Sequence, residues 1–179
     1  DGMGGDGAPE VVVAGLAVAA ERHRGIKVLL IGDEASLRPL LAKYPKAAAI
    51  CTVWHTDVSI SMDMKPTSAL RLRQSSMRLA MDAVAGGRAQ GVVSAGNSGA
   101  MLALAKIVIK TMPGISRPAM AAISPTIKGD VVMLDLGANV ACDSRNLVEF
   151  AVMGEAFAKS VLGLPAPTIG LLNIGSEEL

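Results

Sequence analysis

The sequence predicts an α/β fold in which a mostly parallel sheet carries helices on both faces, and three observations predict it. Short β-branched apolar runs alternate with apolar-periodic stretches of helical length. Polar, glycine-rich turns stand where those runs end, as they do at the carboxyl edge of an open parallel sheet. Half of the 179 residues are hydrophobic while only 2% are aromatic, so a core of real size is available and aliphatic packing must build it.

The elements follow in order. Pro9 and Glu10 suit the first turn of a helix that Val11 to Ala20 continues and Arg22, His23, Arg24 and Gly25 close. Ile26 to Ile31 reads as a buried strand ended by Gly32 and Asp33; a helix over about Ala35 to Lys43 and a strand over Ala48 to Val53 come next. His55 to Pro66 is a polar loop. Ser68 is placed to cap a helix through Leu72, Met77, Ala80, Met81 and Val84, which Gly86 and Gly87 terminate. A strand over Gly91 to Ala95 leads to a helix over Ser98 to Thr111, broken at Met112, Pro113 and Gly114. Ala119 to Ser124 and Val131 to Leu136, joined by PTIKGD, read as a hairpin. A helix from about Arg145 to Leu162 and a strand over Thr168 to Asn173 complete the pattern. A single domain is expected.

Composition narrows the function. A net charge of +1 gives no reason to expect nucleic acid, and one Trp and one Tyr leave no base-stacking platform. Cys51 and Cys142 lack CxxC spacing and are expected to be free thiols in a reducing compartment. No apolar run reaches bilayer length and no signal peptide is read, so the expected location is the cytoplasm. No HExxH or paired-His cluster exists to hold a catalytic metal, and GNSGA around Ser98 lacks the last glycine of a serine-nucleophile elbow.

Four turns carry the chemistry: DGMGGDGAP at the start, AGNSGA at 95 to 100, LDLGANVACD at 134 to 143 and LNIGSEE at 172 to 178. Each offers backbone N–H donors and an Asn, Asp or Glu, and the second opens a long helix whose dipole favours an anion. Their convergence on one phosphate-like anion is the expectation. Gly2 to Gly7 also matches G-x-G-x-x-G, with Asp33 after the next strand, which resembles a dinucleotide fingerprint but leaves the other three turns unexplained. Arg71, Arg73 and Arg78 are either a solvated face or a docking patch for an acidic partner.

The order of these segments resembles the PlsX family of phosphate acyltransferases. The words that carry the resemblance are DGMGGDGAPEVVV, IGDE at 31 to 34, SSMRLAMDAV at 75 to 84, VVSAGNSGAMLALA, KTMPGISRPA, VVMLDLGANV, LVEFAVMGEAFAKSVLG and LLNIGSEE. The match runs along the whole chain and covers about half to two thirds of a full family chain, implying a fragment without the first strand and the carboxy-terminal part. Gly2 stands where the family usually has Ala, Gly7 where His is common, and Ser98 where Thr is usual.

The resemblance implies a three-layer α/β/α, Rossmann-like fold similar to isocitrate dehydrogenase and phosphotransacetylase, a homodimer, and a cytoplasmic enzyme peripherally associated with the membrane. It implies transfer of a long-chain acyl group from acyl-carrier protein to inorganic phosphate, without a cofactor, and delivery of the acyl-phosphate to a membrane glycerol-phosphate acyltransferase. On that basis Asn97, Ser98, Gly96 and Gly99 are expected to hold phosphate, with Gly4 and Gly5 approaching from the first turn. Asn139 and Asn173 are expected donors to the carbonyl or the phosphate. Asp6 and Asp135 would orient those donors or accept a proton, with Glu177 a further candidate. Arg71, Arg73 and Arg78 would dock the carrier protein, with Lys65, Arg117 and Lys128 as alternatives. Two other classes stay open: an enzyme using a dinucleotide or coenzyme A, and a non-catalytic module that binds carrier protein or the membrane surface.

Overall fold

A computed structural model of the chain describes residues 1–139 and 141–172 and divides into two compact units, Asp1–Lys110 and Thr111–Leu179. The first unit contains α1 (Glu10–Arg22), β1 (Val28–Gly32), α2 (Glu34–Lys43), α3 (Pro45–Ile50), β2 (Cys51–His55), α4 (Pro66–Ala69), α5 (Ser76–Ala85) and α6 (Ser98–Val108). The second contains β3 (Ala121–Thr126), β4 (Gly129–Leu134) and α7 (Ser144–Val161).

In the first unit β1 and β2 pair in parallel, Val28 opposite Cys51 through Gly32 opposite His55. Side chains of a strand alternate between faces, and here each parity finds its own helices. Val28 and Leu30, with Cys51 and Val53, pack against Val13 of α1, Leu37 and Leu41 of α2 and Ala47 of α3. Leu29 and Ile31, with Trp54, pack against Leu79 and Ala80 of α5. Helices on both faces of a parallel ladder give the α/β/α layering expected. Leu30 and Ile31 are buried, and each such aliphatic side chain contributes roughly 1.5–3 kcal/mol relative to exposure. A separate apolar cluster joins α4, α5 and α6 through Ala69, Met77, Met81, Ala100 and Leu104, with Ile60 of the preceding loop.

In the second unit β3 and β4 form the expected antiparallel hairpin, with Thr126 opposite Gly129 across Ile127 and Lys128. Asp143 caps α7 with a reciprocal pair: its Oδ1 accepts from the Asn146 N–H at 2.8 Å while Asn146 Oδ1 accepts from the Asp143 N–H.

Several elements differ from their sequence expectation. Ala48 to Ile50 belong to α3, because Pro45 starts a helical turn and three consecutive alanines continue it, so β2 begins at Cys51. The single helix expected from Ser68 to Val84 is two: Ser75 accepts from the Arg78 N–H as a new N-cap, and the Ser76 N–H is drawn off to the Val58 carbonyl. α6 stops at Val108, where the Ile109 and Lys110 N–H groups both turn back to the Ala105 carbonyl. Gly91 to Ala95 and Thr168 to Leu172 are in neither sheet; Val93 is 85% exposed and Leu171 76%, and a strand pattern without a ladder partner among the described residues does not become a strand. The parallel ladder is therefore two strands wide among the described residues. Asn173, the expected end of the last strand, lies outside the described residues.

Candidate functional site

Two of the four glycine turns meet. The first turn enters beside β1, where the Gly2 N–H donates to the Ile31 carbonyl at 2.7 Å, and then crosses the segment that leads into α6. The crossing is a seam of glycines. A Cβ on Gly4 would stand 2.9 Å from the Gly96 nitrogen, and a Cβ on Gly5 3.1 Å from the Ala95 carbonyl oxygen; Gly5 also has φ +105°.

Asp1 organises the seam. Its carboxylate accepts from Ser76 Oγ at 2.7 Å, Ser94 Oγ at 2.6 Å and the Met3 N–H at 3.1 Å. Ser94 Oγ in turn accepts from the Gly96 N–H at 3.1 Å. Gly96 therefore shapes the turn, and its N–H is engaged internally. Asp1, Ser76 and Ser94 were not among the expected site residues; the signals available for them were an acid next to the first glycine, the Ser75–Ser76 pair ahead of an apolar helix pattern, and a serine two residues before Gly96.

Asn97 is buried and fully engaged. Its Oδ1 caps α6 by accepting from the Ala100 N–H at 2.9 Å. Its Nδ2 donates to the carbonyls of Met64 at 2.8 Å and Met62 at 3.0 Å, with a longer contact to Ser61. One side chain thus starts the helix and fixes the loop in front of it. Ser98 and Gly99 are exposed, and their N–H groups have no acceptor among the described residues, which leaves the first-turn donors of α6 available. Pro66 closes one side, lying 3.0 Å from where a Gly99 Cβ would be, so Lys65 is the candidate cation next in the chain to that contact. Asp6 is exposed in the first turn and accepts no hydrogen bond among the described residues.

The third turn lies in the second unit. Asp135 adopts φ +60°, its N–H donates to the Met120 carbonyl, and its Oδ1 accepts from the Asn139 N–H at 3.1 Å and from Asn139 Nδ2 at 2.8 Å. Asn139 Nδ2 also donates to the Pro118 carbonyl at 3.2 Å, and Arg117 donates to the Ala141 carbonyl at 3.0 Å. Cys142 Sγ contacts Asp135 Oδ2 at 3.4 Å; burial first, then this hydrogen bond and the carboxylate charge, push its thiol pKa up. Both cysteines are free. The fourth turn, with Asn173 and Glu177, lies outside the described residues.

The expected arginine patch is not one helix face. Arg78 on α5 pairs with Asp82 at 3.1 Å, whereas Arg71 and Arg73 are exposed in the segment between α4 and α5 and make no ion pair among the described residues. Lys128 sits in the two-residue hairpin loop. Asp33, the acid of the dinucleotide pattern, caps α2 by accepting from Ala35 and Ser36, so its carboxylate is already occupied. No three His, Cys, Asp or Glu among the described residues are grouped as metal ligands, and no described helix is long and apolar enough to cross a membrane.

Comparison with known proteins adds what geometry alone does not. A family model described as fatty acid synthesis protein matches residues 1–179. A phosphate acyltransferase of Gluconacetobacter diazotrophicus is 82% identical over 179 residues, which is 100% of this chain and 48% of that protein. Those of Gluconobacter oxydans and Granulibacter bethesdensis are 72% and 67% identical, over 100% and 99% of this chain and 48% of each relative. The chain spans about half the length of the curated relatives it matches.

Proposed function

The chain belongs to the fatty acid synthesis protein family, that of the PlsX phosphate acyltransferases, and from that premise we propose that it carries the phosphate-binding part of an acyl-transfer site. The reaction is transfer of a long-chain acyl group from the thioester of acyl-carrier protein to inorganic phosphate. A phosphate oxygen attacks the thioester carbonyl, the C–S bond breaks, and the carrier's thiolate leaves and takes a proton; the product is an acyl-phosphate. Phosphate is already a nucleophile at neutral pH, so no serine or cysteine intermediate is needed. Rate comes from holding the dianion against the carbonyl and from dipoles oriented toward developing charge.

The observation that supports this best is the open first turn of α6 above the glycine seam. The Ser98 and Gly99 N–H groups and the Ser98 hydroxyl would take the phosphate, and the α6 dipole adds a favourable field. Gly4, Gly5 and Gly96 let the two turns lie together, and Asn97 positions the helix start rather than reaching for substrate, since both ends of its amide are occupied. Asp6, unengaged beside the seam, is a candidate to receive a proton. Asn139, like Asn97, spends both amide hydrogens internally, on the Pro118 carbonyl and on Asp135 Oδ1, so it shapes the third turn rather than donating to substrate. Asn173 is assigned to the carbonyl or the phosphate. Exposed Arg71 and Arg73 would meet the acidic carrier protein. The proposal includes a homodimer working in the cytoplasm at the membrane surface and passing its product to a glycerol-phosphate acyltransferase.

The test is acyl-phosphate formation by the full-length protein from inorganic phosphate and a long-chain acyl-carrier-protein thioester, with the coenzyme A thioester in parallel. Product from the carrier-linked donor supports the assignment. Product only from the coenzyme A donor, or from neither in a folded protein, overturns it.

A further inference from the structure

Among the described residues Glu149 is the one charged side chain that is buried, at 6% relative exposure, and nothing in the proposed chemistry accounts for it. Glutamates are almost never buried unless paired, so its partners indicate its purpose. Its Oε2 accepts from the Ser116 N–H at 2.7 Å and from Ser116 Oγ at 2.6 Å, and its Oε1 from Arg145 Nε at 3.0 Å. Buried Asn146 donates to the same Ser116 hydroxyl at 3.0 Å. One residue of an otherwise irregular segment is therefore latched to α7 by both its backbone and its side chain.

The two residues that follow Ser116 are those that touch the third turn. Arg117 donates to the Ala141 carbonyl, and the Pro118 carbonyl accepts from Asn139 Nδ2. A shift of Ser116 moves both contacts, and the Asn139 amide would be left with Asp135 alone. The same helix caps the far end of the turn through Asp143 and Asn146. We propose that Glu149, acting through Ser116, is a positioning residue that holds the third turn, by way of Pro118 and Asn139, in the arrangement the acyl-transfer step uses. This rests on the assignment of the third turn to that step, and it names a residue outside the glycine turns on which the rate depends.

The experiment uses the full-length protein and its Glu149→Gln, Ser116→Ala, Asn139→Ala and Glu149→Gln/Asn139→Ala variants. Hydrogen exchange of the 135–142 peptide is read beside kcat and KM. Misplacing a positioned group by about 1 Å can cost on the order of 10²-fold, so Glu149→Gln is expected to lower kcat at least about 10-fold, with KM for the acyl donor within about twofold. Ser116→Ala, which keeps the backbone donor, is expected to lose less. Exchange of 135–142 should rise while that of 98–108 stays unchanged, and Glu149→Gln should cost nothing further once Asn139 is Ala. A turn that keeps its protection, or a loss that multiplies in the double variant, overturns the proposal. If the turn loosens but Asn139→Ala is fully active, the latch stands and the assignment of the third turn to the reaction fails.

Discussion

Gly4 and Gly96 stand face to face: a Cβ on Gly4 would lie 2.9 Å from the Gly96 nitrogen, too close for any side chain, and one on Gly96 would crowd the Gly4 Cα at 3.2 Å. That approach brings the first turn against the start of α6. Gly4→Ala would also set a methyl 2.5 Å from Asp1 Oδ2 and 2.7 Å from Ser94 Oγ, so it is expected to cost about 1–3 kcal/mol and to part the Asp1–Ser94 contact. Gly15, exposed in the middle of α1 with nothing near its Cβ position, should instead gain about 0.5–1 kcal/mol as Ala. Urea unfolding of the two variants checks the contrast, and equal effects would contradict the seam.

Asn97 separates two roles that one substitution would confuse. Asn97→Ala removes the α6 cap, worth about 1 kcal/mol, together with the tie to the Met62 and Met64 carbonyls. Asn97→Asp keeps an acceptor for the Ala100 N–H but points an anion at those carbonyls. Both are expected to raise hydrogen exchange in residues 58–64 and to lower acyl-phosphate formation on the order of 10²-fold by misplacing the helix start. A protected loop in the Asp variant would show that the tie is dispensable.

The layering of the first unit was legible because the parity of VLLIG and the apolar spacing of its flanking helices are local signals. What failed was partner-dependent or finely balanced. Gly91 to Ala95 and Thr168 to Leu172 carry strand composition, but a ladder is made by neighbours that composition does not reveal. The break between α4 and α5 depends on the local cap of Ser75 on the Arg78 N–H and on Ser76 reaching the Val58 carbonyl, and the second is a long-range choice invisible in the helical period. Of the site, the close approach of glycine-rich turns was readable, since a run of glycines marks tight backbone passage without wider context. The internal commitments of Asn97 and Gly96 were not, because a side chain that caps and ties looks the same in sequence as one that meets a ligand. Glu149 was hidden for a related reason: an acid inside a helix pattern reads as solvent-facing until its burial is known.

Glu149 also predicts an acid response. The Ser116 hydroxyl first, then the Ser116 N–H and Arg145, hold its carboxyl below the usual value against an opposing effect of burial. A folded-state pKa lowered in this way contributes stability that is present above the unfolded value and lost as pH falls through the lower, folded one. The latch should therefore persist from neutral pH into mild acid and open below the ordinary carboxylate range. Amide protection around Ser116, followed on acidification, should decline in that window in the wild type. A decline of the same shape in Glu149→Gln would assign it to another group.

Arg71 and Arg73 are exposed and unpaired among the described residues, while Arg78 is held by Asp82. Charge reversal at Arg71 and Arg73 is expected to raise KM for the carrier-linked donor several-fold, roughly within the range of electrostatic steering, with kcat little changed. The effect should shrink as salt shortens the screening length. Salt-independent kinetics in the reversed variants would remove these residues from carrier docking.

The most direct test is where inorganic phosphate binds. Titrating it into the isotope-labelled full-length protein and following backbone amides should move Ser98 and Gly99, the open donors of α6, in a saturable way, while Gly86 and Gly87 at the end of α5 stay fixed. Saturable shifts elsewhere, with Ser98 and Gly99 unmoved, would contradict the assignment of the α6 N-terminus as the phosphate site.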